Sequence, residues 1–322
     1  MFSILRPFLF NLDPETAHDL AIKSLKFDFI PEKFFKVENE EMLETIFLKR
    51  KIKNPIGLAA GFDKSAEAYT SLSKLGFGLI EVGTVTPKKQ FGNPKPRIFR
   101  LEEDEALINR LGFNNDGLET VVDRLDRRID TSVVLGVNIG PNYDSSSYEY
   151  DFLKCLYNIM KYSLADYVTI NISSPNTKNL RDFHNEAKLE SLMKDINKLK
   201  KDPIPTTDMP IFLKKKIGLP EKQIVDMPIF LKVSPDIEDS SVEKISGIII
   251  NQKISGVILT NTSNVNRSLL KSSDKYQVGG LSGKPIRKLS TELIKKFYKK
   301  LKGKAYIIGV GGVDSGKSAF EK

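Results

Sequence analysis

The chain has 322 residues, 40% of them hydrophobic and 28% charged, with a net charge of +9. That size holds one large domain with at most a small appendage, and the composition is that of a globular protein. One cysteine, Cys155, and two histidines, His18 and His184, exclude a disulfide framework, cysteine-rich zinc or iron–sulfur sites and most histidine metal sites, so no metal is expected. Cys155 falls in an apolar helical pattern with Leu153, Leu156 and Ile159 and reads as a packed thiol. The positive charge resides on scattered lysines such as Lys194, Lys198, Lys295 and Lys299. Arginines interleaved with aromatic residues are not found, which argues against nucleic acid as a partner. No apolar run reaches the ~20 residues that span a bilayer. Met1–Phe10 lacks the small-residue cleavage site of a signal peptide, so an intracellular protein is expected.

Residues 1–40 differ from the rest. Asp13-Pro14-Glu15 reads as an N-cap, a first-turn proline and an acid favoured by the helix dipole. Behind it Ala17, Leu20, Ala21, Ser24 and Leu25 share one helical face. Phe2, Phe8, Phe10, Phe27, Phe29, Phe34 and Phe35 exceed what one short amphipathic helix buries. Two readings stay open: packing on the main domain, or an apolar surface for a membrane or greasy ligand.

From Asn54 onward strands and helices alternate. Strands are predicted at Pro55–Ala59, Leu79–Thr84, Val133–Ile139, Tyr167–Ile172, Pro228–Val233, Gly256–Thr260 and Ala305–Val310. They are rich in Val, Ile or Leu without strict alternation, as parallel strands buried on both faces are. Amphipathic helices are predicted at Asp116–Ile129, Tyr148–Ser163 and Lys284–Leu301. Polar or glycine residues close every strand: Asp63-Lys64, Thr84, Asn138, Asn171–Thr177, Lys232, Thr260-Asn261-Thr262 and Gly311-Gly312. A barrel gathers all such ends around one mouth, whereas a doubly wound sheet uses a few of them. The expected fold is therefore an α/β protein, a (β/α)8 TIM barrel over residues 41–322, with seven of eight strands visible and residues 1–40 as a helical extension.

Two features stand apart from that pattern. Asp208–Lys214 and Asp226–Lys232 both read DMPIFLK. Two copies are too few for a solenoid, so one copy supplies the fifth strand and the other belongs to a duplicated insertion near 208–225. Gly311–Ser318 satisfies the P-loop pattern G-x-x-x-x-G-K-S after a strand. No metal-binding aspartate strand follows it, so nucleotide hydrolysis is not expected.

The turn Asn171-Ile172-Ser173-Ser174-Pro175-Asn176-Thr177 is the densest cluster of neutral hydrogen-bonding groups in the chain. Read plainly it is a Ser/Pro/Asn loop closing a strand. Read functionally, it grips a small polar ring and removes a proton beside it. It is one of ten motifs in order: NPIGLAAGFDK (Asn54–Lys64), EVGTVTP (Glu81–Pro87), PRIFRL (Pro96–Leu101), NRLGFN (Asn109–Asn114), GVNIG (Gly136–Gly140), the serine turn, KVSPD (Lys232–Asp236), TNT (Thr260–Thr262), GGLSG (Gly279–Gly283) and IGVGGV (Ile308–Val313). On these motifs, over nearly its whole length, the chain resembles the dihydroorotate dehydrogenases.

That resemblance implies an FMN enzyme of pyrimidine biosynthesis that oxidises dihydroorotate to orotate. It makes Ser174 the catalytic base, with Thr177 and Phe113 at its proton relay. Substrate would meet Lys64, the run Asn109, Arg110, Leu111, Gly112 and Phe113, and also Asn171, Asn176, Asn261 and Thr262. Amide side chains suit an imide-like ring because they both donate and accept. FMN would lie on Ala60, Gly61, Lys64, Thr84, Asn138, Asn171, Lys232, Thr260, Gly283 and Gly312. Serine rather than cysteine as the base, together with the Phe-rich extension, matches the membrane-associated class 2 branch, which reduces a quinone. There His18 and Arg100 would line the quinone tunnel. The resemblance further implies a monomer bound peripherally at the cytoplasmic face of the inner membrane. It also includes an eighth strand, so the competing expectation is a truncated, weakly FMN-binding, non-catalytic remnant.

Overall fold

The computed structural model describes residues 2–27, 41–127, 133–201, 227–265 and 267–322. Its first elements are helices α1 (Phe2–Asn11) and α2 (Pro14–Lys26), a hairpin of β1 (Thr45–Phe47) and β2 (Arg50–Ile52), β3 (Gly57–Leu58), α3 (Tyr69–Ser73) and β4 (Leu79–Val85). Next come β5 (Ile98–Leu101), β6 (Ala106–Asn109), α4 (Leu118–Asp126), β7 (Val134–Ile139), α5 (Tyr148–Lys161), β8 (Tyr167–Asn171) and α6 (Glu186–Lys201). The last are β9 (Ile229–Val233), α7 (Asp239–Asn251), β10 (Gly256–Leu259), β11 (Gly280–Gly283), α8 (Arg287–Leu301), β12 (Tyr306–Gly309) and α9 (Gly316–Glu321).

Seven parallel strands lie in the order β12-β10-β9-β8-β7-β4-β3, a curled sheet of TIM-barrel type with helices packed outside. Every residue of β4, β7, β8, β9 and β10 is buried, which is why these strands read as continuous apolar runs. Among the described residues β3 and β12 have no strand on their outer sides. The second DMPIFLK copy supplies β9; the first, with the expected insertion near 208–225, lies outside the described residues. Phe29, Phe34 and Phe35 lie outside them too.

The hairpin β1–β2 closes the amino-terminal end of the barrel. Phe47 packs its ring 6.2 Å from Tyr167, 5.9 Å from Phe230 and 5.2 Å from Tyr306. Glycines make room for that plug: a Cβ on Gly136 would come within 2.1 Å of the Tyr167 ring, and one on Gly256 within 2.3 Å of Phe230. The polar residues that close the strands lie at the opposite, carboxyl-terminal mouth. Beside it stands an antiparallel sheet, β11-β6-β5, that the alternation of strands and helices does not reveal. It delivers the segment beginning at Asn109 to the mouth.

Asp13 caps α2 by accepting the amides of Glu15 and Thr16, each at 3.0 Å, and Pro14 opens the helix. The buried face of α2 carries Glu15, Ile22 and Leu25, while Leu20 is exposed. It differs from the expected face because α2 lies on β5 and α3, where Arg97 draws Glu15 inward. Cys155 is fully buried, and burial pushes its thiol far up, so it is an inert core residue. Within the P-loop-like stretch, Ser315 and Ser318 cap α9 reciprocally, which commits the hydroxyls to the turn.

Candidate active site

Strand ends from β4 to β10 meet in one buried polar network. Glu81, on β4, accepts hydrogen bonds from the amide of Asn138 (3.0 Å) and the hydroxyls of Thr169 (2.8 Å) and Tyr167 (3.2 Å). The Lys232 ammonium lies 3.8 Å from the same carboxylate. A charge inside a barrel persists only when paired and hydrogen-bonded, and this one has both kinds of partner. Farther along the strands Thr84 donates to Asn138 Oδ1 at 2.6 Å, and Asn171 Nδ2 reaches both Thr84 Oγ1 and Asn138 Oδ1 at 3.2 Å. Asn171 Oδ1 in turn accepts Ser173 Oγ–H (3.1 Å) and Asn261 Nδ2–H (3.3 Å). Asn261 also donates to Ser173 Oγ at 2.9 Å, and its own carbonyl accepts the Thr262 amide at 2.8 Å.

Ser174 stands at the rim of this network and is buried. Its oxygen accepts the Asn176 amide at 3.3 Å, and among the described residues no imidazole or carboxylate bonds to it. Asn176 Nδ2 donates to the Asn109 carbonyl at 3.2 Å, which ties the serine turn to β6. Phe113 has φ +56° and its ring lies against Gly140 beside Thr84.

Asp63 and Lys64 divide their roles. The Asp63 carboxylate accepts the amides of Glu67 (2.8 Å) and Ala68 (2.9 Å) and only shapes the turn. Lys64 enters a cavity of about 300 Å³ between α2 and the mouth, lined also by His18, Ile22, Phe62, Arg97 and Asn114. Burial draws the ammonium pKa down, and Glu15 and Asp19 partly restore it. His18 Nε2 lies 2.7 Å from the Phe62 carbonyl, so that nitrogen carries the hydrogen. Burial, with Lys64 nearby, lowers its pKa, and the Phe62 carbonyl and Asp19 oppose that shift.

The family model for dihydroorotate dehydrogenase matches residues 42–322. The chain belongs to the dihydroorotate dehydrogenase family. A dihydroorotate dehydrogenase (quinone) from Idiomarina loihiensis is 40% identical over all of this chain and 91% of its own length. Another, from Christiangramia forsetii, is 42% identical over 99% of this chain and 89% of its own. Two crystal structures of DHODH from Eimeria tenella, ligand-free and in complex with ferulenol, superpose with TM-scores of 0.85 and 0.83. Both are 36% identical over 96% of this chain, which covers 86% and 82% of theirs.

Dihydroorotate dehydrogenases are flavin-dependent, and the residues here fit such a group. Thr260 keeps a buried hydroxyl without a partner among the described residues. The space where a Gly61 Cβ would point is empty for 4 Å, room for a flat ring. Ala60 stands beside it, half-buried in the turn after β3. Gly283 and Gly312 have φ +100° and +71°, and a Cβ on either would strike Glu105 or Arg287 at 2.4 and 2.6 Å. Their first duty is thus close packing of the loops.

Of the expected residues, Thr84, Asn138, Asn171, Lys232, Asn261 and Thr262 fall in one network. Asn109, Asn176 and Ser174 adjoin it. The Leu111 and Gly112 carbonyls are held by Asn93 and Gln90, and the Thr177 carbonyl faces the Leu180 amide at 3.4 Å. Arg110 directs its guanidinium to the carbonyls of Pro96 (2.8 Å) and Val278 (3.0 Å) and stacks on Phe99, so it braces loops. Arg100 crosses over Phe10 and donates to the carbonyls of Leu9, Phe10 and Leu12 at the end of α1. His18, on α2 of the same extension, lines the cavity described above.

Glu81 is the residue that motif reading overlooked as a site group. A lone acid inside an otherwise apolar strand was its signal, because such a charge demands partners. Arg97 and Glu15 were overlooked as well. Arg97 donates to both Glu15 oxygens (2.6–3.2 Å) and, through its other nitrogen, to the carbonyls of Phe91 (2.6 Å) and Asn93 (2.7 Å).

Proposed function

We propose that this chain oxidises dihydroorotate to orotate in pyrimidine biosynthesis, with FMN as hydride acceptor and a quinone as final electron acceptor. The observation that carries the reading is the serine turn, hydrogen-bonded through Asn171 and Asn138 to the Glu81–Lys232 pair. When bound, FMN supplies a ring that takes the hydride and releases the electrons to the quinone. Ser174 takes the proton from the neighbouring carbon and passes it outward beside Thr177 and Phe113, a contribution of roughly 10²–10⁴-fold for a positioned base. The amides of Asn109, Asn171, Asn176 and Asn261, with Thr262, meet the polar edges of the substrate ring. Arg110, Leu111 and Gly112 shape the wall beside it, and Lys64 balances the substrate carboxylate. Lys232 offsets negative charge developing on the flavin, in a dry site where such a charge counts for much. Ala60, Gly61, Thr84, Asn138, Thr260, Gly283 and Gly312 hold the cofactor.

Residues 1–40 form the quinone-access extension in this proposal. Exposed Leu12, Leu20 and Phe27 on α1–α2 support docking on a lipid surface, and the cavity lined by His18 supports a path inward. Among the described residues no helix is long and apolar enough to cross a membrane. The proposal extends to a peripheral monomer on the cytoplasmic face of the cell membrane. Relatives that the chain matches over 89% and 91% of their own length carry the quinone-dependent name, and nothing favours a non-catalytic remnant. Steady-state assays with a quinone, NAD and fumarate test the function; turnover with NAD and none with quinone overturns it. Sedimentation with anionic vesicles, lost in Leu20→Asp/Phe27→Asp, tests the membrane contact.

A further inference from the structure

Arg181 belongs to none of the groups assigned so far. It follows the serine turn on a short helical turn anchored by buried Leu180 and Phe183. Its Nε donates to the Ser173 carbonyl (3.3 Å), one terminal nitrogen lies 3.3 Å from an Asp236 oxygen, and the other reaches the Thr262 carbonyl (3.5 Å). One planar guanidinium therefore bridges the loops after β8, β9 and β10. Asp236 does not depend on it for burial: its carboxylate also accepts the Ser263 hydroxyl (2.6 Å) and the Asn264 amide (2.8 Å). The Ser173 carbonyl belongs to the peptide that leads into Ser174, so the bond from Arg181 bears on where that hydroxyl stands. A rigid fork with several donors suits this task, and a lysine has one point of charge for it.

We infer that Arg181, backed by Asp236, is a positioning residue for proton abstraction, holding the Ser173–Ser174 peptide in register with the Asn261–Thr262 loop. The inference rests on Ser174 being the base. A misplacement of about 1 Å costs up to ~10²-fold in rate, so Arg181→Met should slow flavin reduction by dihydroorotate about 10- to 100-fold. Bound flavin per chain, read from the flavin spectrum, should stay within about twofold, and the orotate Kd should change far less than the rate of flavin reduction. The decisive arm is the double variant. In a Ser174→Ala background, Arg181→Met should slow flavin reduction less than about twofold further, since a residue acting through Ser174 has nothing left to position. Arg181→Lys should recover part of the rate.

The same factor lost in both backgrounds would overturn the inference in favour of a general structural role, and an unchanged single-variant rate would overturn it outright. If Arg181→Met yields no folded flavoprotein, Arg181→Lys decides alone. Slowed reduction there with normal flavin content supports the inference, and a normal rate overturns it. Near-normal flavin reduction in Ser174→Ala by itself would remove the base assignment instead, and is read in a different variant.

Discussion

Replacing Glu15 by glutamine preserves the volume of a side chain packed under α2 and removes its charge. Arg97 then faces a neutral group. Both residues are 7% exposed, so water screens neither. Arg97 makes three hydrogen bonds to the carboxylate, at 2.6, 3.0 and 3.2 Å, and Lys95 adds a cation 3.5 Å away. Glutamine offers a single acceptor oxygen and turns an NH2 toward the two cations. Removing one partner of a buried pair costs about 3–5 kcal/mol. Lys95 is solvated, and the Phe91 and Asn93 carbonyls still hold Arg97, so the lower end, about 3 kcal/mol, applies. For a chain of this size that is a fall of roughly 5–10 °C in melting temperature. Thermal unfolding followed by fluorescence, with urea titration at pH 7, measures it. The carboxyl of Glu15 is held below its ordinary range by the bonds from Arg97. Its stabilisation is therefore present above the unfolded carboxyl value and lost as pH falls through the folded one, a loss the variant should not show. Because α2 also carries His18, the quinone KM should rise more than the dihydroorotate KM. A melting shift under about 1 °C would refute the reasoning. It would mean that α2 docks through Ile22 and Leu25 alone.

Further outcomes follow from the site. Ser174→Ala should retain flavin and lose at least about 10²-fold of dihydroorotate oxidation; near-normal turnover removes Ser174 as the base. Lys232→Ala leaves Glu81 buried without its cation, and should lower flavin content per chain together with about 3 kcal/mol of stability. Unchanged flavin absorbance would take Lys232 out of the cofactor site. Burial, reinforced by Arg181, pushes His184 down to about 4, so the folded state resists a proton that the unfolded chain accepts near pH 6.5. Stability should be full above that value and decline by up to ~3 kcal/mol as pH falls toward 4. His184→Gln should flatten that limb in urea unfolding at pH 7 and 5; an equally steep limb contradicts it.

Most strand positions were legible before any fold was known, because parallel strands covered on both faces are largely apolar, and that is a local property; β3 and β12, at the ends of the sheet, are only partly covered. β4, β7, β8, β9, β10 and β12 begin within about a residue of expectation, while β3 shrinks to Gly57–Leu58. The serine turn and the residues closing each strand were equally plain, since a barrel leaves its chemistry nowhere else. The hairpin that plugs the barrel and the β11-β6-β5 sheet were not legible: they are short antiparallel pieces, and β6 and β11 pair residues some 170 positions apart. Charged residues show the division most clearly. Glu15 reads from sequence as a helix-dipole acid and becomes half of a buried ion pair. Arg110 is one letter in a motif, and the carbonyls of Pro96 and Val278 fix where its guanidinium lies. Glu81 is one letter in a motif and turns out to hold Lys232 and three other donors. A side chain's charge is written in the sequence, but its partner is set by distant segments brought within about 3–4 Å, where burial makes pairing obligatory.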